Sequence, residues 1–280
     1  MDAKPAATTV LHIVLNGVSG KQNLPESPQG IFSPFFHISQ FQRIIDMAII
    51  YTATVGSKMH GLSTPQSDED TRYIYKLSLK EVISPFATDR TKTTSSNGED
   101  TESWELRNFV KHLTSGNPTM YEVIKSPLYI KDSNSEFLRI FPNYAFDGRK
   151  ILLAHIGYAE AQLKRYLRNF QQPAEANTLR RIPKSIVAAY RVLAQADQLL
   201  NTGTFEPVIK DYSQSLHDKL MTIKLMSADE ITLDFIKEHE LGIEKGIQDL
   251  KIMFEDLPSS IKDKKPDIDA LEDLLMQFYK

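Results

Sequence analysis

The 280-residue chain contains no cysteine. Disulfides, thiolate metal sites and cysteine nucleophiles are therefore excluded, and the composition fits a reducing, cytoplasmic setting. Net charge is small: 33 Lys and Arg against 36 Asp and Glu leave −3. A protein that wraps long stretches of nucleic acid non-specifically is usually basic, so any RNA or DNA contact must use a local patch. No apolar run is long enough to cross a membrane, and Met1-Asp2-Ala3-Lys4-Pro5 lacks the charged-then-apolar layout of a signal peptide. The seven histidines are scattered, at 12, 37, 60, 112, 155, 217 and 239, with no His-Glu-x-x-His spacing. There is no internal repeat and no heptad run. Length and apolar content allow one large or two modest domains with a real core.

The chemistry concentrates in one stretch, Val55-Gly56-Ser57 followed by Ser67-Asp68-Glu69-Asp70-Thr71-Arg72. Residues 49–55 read as a buried strand ending at Gly56, where the missing Cβ lets the backbone approach a phosphate. The exposed N–H groups of such a turn, with the Ser57 hydroxyl, can hold an anion. Residues 71–77 are rich in β-branched and aromatic side chains and predict a second strand. Extending it back places Asp68 and Asp70 on one face and turns Glu69 away. Paired carboxylates repel unless a cation lies between them, and hard oxygen ligands suit two Mg²⁺ or Mn²⁺ ions. Each half alone is a common pattern. Together, in strand–turn–loop–strand order, they suit attack of a hydroxyl on the α-phosphate of a nucleoside triphosphate. The segment Glu99-Asp100-Thr101-Glu102 alternates like a neighbouring strand, and its spacing leaves Asp100 and Glu102 both open as a third carboxylate.

These residues resemble the polymerase-β-like nucleotidyltransferases, and more narrowly the RNA repair pathway polymerase-β branch. The likeness extends through Trp104-Glu105-Leu106-Arg107-Asn108-Phe109 and Gly116-Asn117-Pro118 to Glu122. It continues through Tyr158-Ala159 to Arg165 and Ala189-Tyr190-Arg191 to Gly203, spanning about residues 45–205. It implies a metal-dependent nucleotidyltransferase that transfers a nucleoside monophosphate to an RNA end, tRNA-like, in repair. Gly56 and Ser57 become the triphosphate pair, Asp68 and Asp70 metal ligands, and Asp100 is favoured over Glu102. Lys58, Arg72, Lys184 and Arg191 join the nucleotide-binding set. Two positions depart from the pattern: Lys58 stands where arginine is usual, and His60 where tyrosine is common. Transfer to a protein or small molecule is a second reading, and a non-catalytic nucleotide-sensing or interaction module a third. The intact aspartates speak against the last.

The expected fold is α+β: an extension over 1–37, a small mixed-sheet nucleotidyltransferase domain over 38–145 and a helical domain over 146–280, with the nucleotide in a cleft between the last two. A short strand is expected at 10–15, a helix at 38–47 and a flexible loop at 88–98. Helices follow at 105–115, around 152–170 and 186–200, from the Ser227-x-x-Glu230 capping box to about Phe254, and over Asp267–Tyr279, opened by Pro266. Lys164, Arg165, Arg168, Arg180, Arg181, Lys184 and Arg191 form a basic cluster able to contact phosphates. Tyr73, Tyr75, Trp104 and Tyr121 are read as core rather than base-stacking groups, and His60 is the histidine nearest the chemistry. Oligomeric state is left open.

Overall fold

The computed structural model of the chain describes residues 48–84, 92–96, 99–171 and 179–280; for residues 92–96, 99 and 100 it describes the backbone. The expected extension, the strand at 10–15 and the helix at 38–47 lie outside the described residues.

A four-stranded mixed sheet carries the motif. β1 (Ala48–Val55) pairs antiparallel with β2 (Glu69–Lys76) and ends at a one-turn helix, α1 (Gly56–Met59). β2 runs parallel to β4 (Glu99–Glu105), which pairs antiparallel with β3 (Lys92–Ser96), giving the order β1-β2-β4-β3. Ile50, Tyr51, Ala53 and Val55 bury one side of β1, as its apolar run demands. The segment at Leu128–Ile130 covers the outer edge of β1, through bonds from Thr54 N to Leu128 O and from Ile130 N to Thr52 O.

Within the loop expected at 88–98, residues 92–96 are instead the edge strand β3, and the rest of it lies outside the described residues. Lys-Thr-Thr-Ser-Ser has no apolar face, so nothing in its pattern announced burial. Threonine nevertheless favours extended backbone, and the ladder with β4 supplies the pairing that a polar edge strand needs.

Helices follow the sheet. α2 (Leu79–Ile83) is closed by a Ser78/Glu81 capping box; α3 (Leu106–Thr114) and α4 (Pro118–Lys125) follow β4. α3 starts at Glu105, whose buried carboxylate accepts from Asn108 N, and stops at Gly116, whose φ of +74° a side chain would strain. Two short helices, α5 (Ser133–Leu138) and α6 (Phe141–Ala145), lead into α7 (Gly148–Gln171). α8 (Ile182–Thr202) packs on α7 and ends at Gly203, in the left-handed conformation. Then come α9 (Ile209–Tyr212), α10 (Gln214–Leu225), α11 (Leu233–Asp256), α12 (Ser259–Lys262) and α13 (Ile268–Gln277).

Two expected helix starts move. The Ser227/Glu230 capping box forms, but it closes a 3₁₀ turn at Ala228–Glu230; α11 begins five residues later, capped by Thr232. α13 is capped by Asp267, whose carboxylate accepts from Ala270 N, so Pro266 precedes the helix instead of opening it. In each case an N-cap oxygen, of Thr232 or Asp267, accepts from the third helical N–H and so fixes where the helix begins.

The chain's end returns to the sheet. Lys76 Nζ donates to Phe278 O at 2.6 Å, Tyr279 Oη reaches Glu105 at 3.4 Å, and Phe278 packs among the rings of Phe137 and Phe141. All these elements belong to one compact unit, residues 46–280. Tyr75, Trp104 and Tyr121 are buried in its core, as expected. Among the described residues, no helix is long and apolar enough to cross a membrane.

Candidate active site

Burial of β1 fixes where its last residue points the chain. Val55 is buried, and Gly56 follows with φ +68°, a turn that a Cβ would strain. The turn doubles the chain back as α1, so Ser57 and Gly56 lie beside Asp70 of the adjacent strand. A methyl group added to Gly56 would overlap Asp70 Oδ2. The backbone angle favours glycine here, and an added Cβ would also push the Asp70 carboxylate aside.

The two aspartates arrive by different routes. Asp70 lies in β2, half-buried; Asp68 precedes the strand, exposed, at the end of the loop that starts after α1. Asp68 thus stands one residue outside the strand expected to carry both aspartates. Both still line one cleft with Gly56 and Ser57. Its volume is about 450 Å³, within the range of small-molecule sites.

Arg180, just before α8, and Lys184 and Arg191 of α8, all from the basic cluster, also line the cleft. Lys224, at the end of α10, lines it too. Its ammonium donates to Leu62 O at 2.6 Å and Ser67 Oγ at 3.3 Å, tying α10 to the loop before Asp68. Burial lowers the Lys224 pKa, nearby Lys184 lowers it further, and the charge of Asp68 opposes both. The sequence reading missed Lys224 because α10 was missed. The signal was present in Leu216, Leu220 and Ile223, spaced four and three apart after the capping Ser213.

Lys58 and Arg72 are not among the lining residues. Lys58 Nζ pairs with Glu69 at 2.7 Å, and Arg72 Nε stands 3.7 Å from Glu102 Oε2. That second pair bears on the third carboxylate. In the parallel ladder Asp70 is registered with Asp100 and Arg72 with Glu102. Glu102 is engaged by Arg72, and its pKa is raised by burial, against the opposing pull of Arg72 and His112. Among the described residues no three His, Asp or Glu side chains gather as a metal-ligand group.

His60 is buried deep beside the cleft and holds three elements together. Its Nδ1 donates to Pro207 O at 2.8 Å, and its Nε2 accepts from Arg191 Nη1. The same Nη1 donates to Glu122 of α4. Burial holds the His60 pKa well below the usual imidazole range, and Arg191 pushes it further down. Glu122, partner to the cleft's arginine, stands in the sequence as the end of a motif block with nothing local to mark its role.

A strand ending in a Gly-Ser turn, with aspartates brought beside it on a mixed α+β frame, defines a protein of the polymerase-β-like nucleotidyltransferase type. The chain belongs to the RNA repair pathway DNA polymerase beta family, whose model matches residues 36–277. Among solved structures, it is similar to a nucleotidyltransferase-like protein from Exiguobacterium sibiricum 255-15. There 86% of this chain aligns with 88% of the other at 15% identity and a TM-score of 0.33. No curated protein gives a significant match.

Proposed function

We propose that the cleft binds a nucleoside triphosphate with two Mg²⁺ or Mn²⁺ ions and transfers its nucleoside monophosphate to a hydroxyl of an RNA end. The observation that carries this reading is the convergence of Ser57, Asp68, Asp70, Lys184 and Lys224 on one cleft. Carboxylates and ammonium groups lining the same cleft suit a polyanion that is carried with divalent cations.

The donor set fits the ions. Asp68 and Asp70 offer hard carboxylate oxygens, and the Ser57 and Ser67 hydroxyls line the same cleft. Bound there, the ions would neutralise the phosphates and acidify the attacking hydroxyl. Ser57 and the amides of the α1 turn hold the triphosphate, and Lys184 and Lys224 offset its charge. Asp100, registered beside Asp70, takes the proton of the acceptor hydroxyl as its oxygen bonds to the α-phosphorus. The bond from that phosphorus to the bridging oxygen breaks, and pyrophosphate leaves. The Arg72–Glu102 pair supports Asp100 over Glu102 in this role.

Family membership supports an RNA acceptor. The test is incubation with each α-labelled nucleoside triphosphate, Mg²⁺, and a panel of cleaved tRNAs, DNA and proteins. Label joined to an RNA end supports the assignment. Label on protein or a small molecule moves the acceptor to the second reading. Nucleotide binding without transfer favours a sensing module.

A further inference from the structure

We infer that His60 is a positioning residue of the cleft, holding the Arg191 guanidinium so that its outer edge meets the phosphates. The inference rests on the cleft being a triphosphate site.

The residue is fixed from both sides. Its carbonyl accepts from Ile209 N at 3.3 Å, and its Nδ1 from within the ring donates to Pro207 O at 2.8 Å. A carbonyl only accepts, so the ring proton sits on Nδ1. The neutral imidazole then has one lone pair left, on Nε2, and that atom faces Arg191 Nη1. The second Nη1 hydrogen goes to Glu122 Oε1. Both inward contacts therefore use a single nitrogen. Nε and Nη2 have no hydrogen-bond partner among the described residues, and Arg191 lines the cleft. A guanidinium held this way presents two parallel N–H groups, the fork that matches two phosphate oxygens.

The charges around the pair agree with this arrangement. Glu122 Oε1 stands 3.9 Å from His60 Nε2, and from α7 Tyr158 and Arg165 act on the same neighbourhood. Glu122 balances the one arginine it touches. A cationic His60 would set two donors and a second positive charge against Arg191, so the neutral ring is the form that keeps the fork in place.

Two substitutions separate the contacts. In His60→Gln the amide oxygen reaches the Nε2 position and still accepts from Arg191. In His60→Asn the amide reaches only the Nδ1 position, keeping the Pro207 bond and abandoning the arginine. Titration calorimetry with ATP and Mg²⁺ should show His60→Asn weakened about tenfold, the size expected for one charge-assisted bond. His60→Gln should stay within about threefold of wild type. Arg191→Ala should be weakened too, and adding His60→Asn to it should cost nothing more. Wild-type affinity in His60→Asn, or additive losses in the double variant, overturns the inference. If the wild type binds none of the four nucleoside triphosphates in the same assay, the reading of the cleft is overturned, and this inference with it. If His60→Asn does not fold, ¹⁵N spectra of the wild-type imidazole at neutral pH decide. A neutral ring protonated on Nδ1 upholds the inference; the other tautomer or the imidazolium overturns it.

Discussion

The Cα of Gly56 lies against the carboxylate of Asp70, so close that one added methyl group would overlap Oδ2. Turn and carboxylate therefore form a single unit: the residue that lets the backbone approach a phosphate also seats the aspartate. Gly56→Ala should displace Asp70 as well as strain the turn, and reduce nucleotide transfer by about 100-fold or more. Gly203→Ala is the matched comparison. That glycine has φ +75° but nothing within 4 Å of a new Cβ. It should cost about 1 kcal/mol of stability and leave transfer intact. Equal activity losses in the two variants would mean that strain alone, and not the seating of Asp70, governs the site.

The parallel register distinguishes the two candidate third carboxylates. Asp100→Asn should abolish divalent-dependent transfer, as should Asp70→Asn, with circular dichroism unchanged in both. Glu102→Gln removes only the partner of Arg72, a partly exposed pair worth about 0.5 kcal/mol, and should retain most activity. Full activity in Asp70→Asn would sink the nucleotidyltransfer assignment, and inactivity confined to Glu102→Gln would exchange the two roles.

Lys184 and Lys224 approach the cleft from different helices. Lys184→Ala should raise KM for the nucleoside triphosphate about tenfold with a smaller change in kcat. Lys224→Met removes a charge and also releases Leu62 O and Ser67 Oγ, so it should raise KM and lower kcat together. Steady-state kinetics at two salt concentrations checks this, because a lost phosphate contact flattens the salt dependence. Unchanged KM in both variants would remove them from the binding set.

Stability should fall with acid through two buried histidines. The His155 pKa is pushed down to about 4 by burial; its Nδ1 donates to Ile151 O, and its Nε2 has no hydrogen-bond partner among the described residues. His60 is held low as well. The unfolded chain titrates near the ordinary value of about 6.5. Below that pH the unfolded state binds more protons than the folded one, so stability is full above about 6.5 and is lost as pH falls. Each histidine contributes a slope of up to about 1.4 kcal/mol per pH unit. Urea midpoints at pH 7.5, 6 and 5 measure it. His155→Leu should flatten the decline relative to wild type; an unchanged difference between pH 7.5 and 5 would refute the assignment.

Much of this site was legible in the sequence because it is local. Gly56 and Ser57 close a strand whose apolar alternation is visible, and Asp68 and Asp70 are two residues apart. The glycines at 116 and 203 end helices where the periodicity stops. What escaped was carried by weak or misleading local signals. β3 has no apolar face, and its pairing with β4 exists only in three dimensions. α10 shows its three apolar positions, but its value lies in Lys224, whose reach to the loop before Asp68 crosses about 160 residues of chain.

The sequence alone determined the strand-ending Gly-Ser turn, the aspartate pair and the α+β class, because periodicity, backbone permissiveness and short spacing act over a few residues. Only the tertiary structure decided which cations face those aspartates. It set Lys58 against Glu69 and Arg72 beside Glu102, brought Lys184 and Lys224 to the cleft, and bound Arg191 to His60 and Glu122. Charge pairing depends on distance through space, and packing the helices against the sheet is what sets that distance.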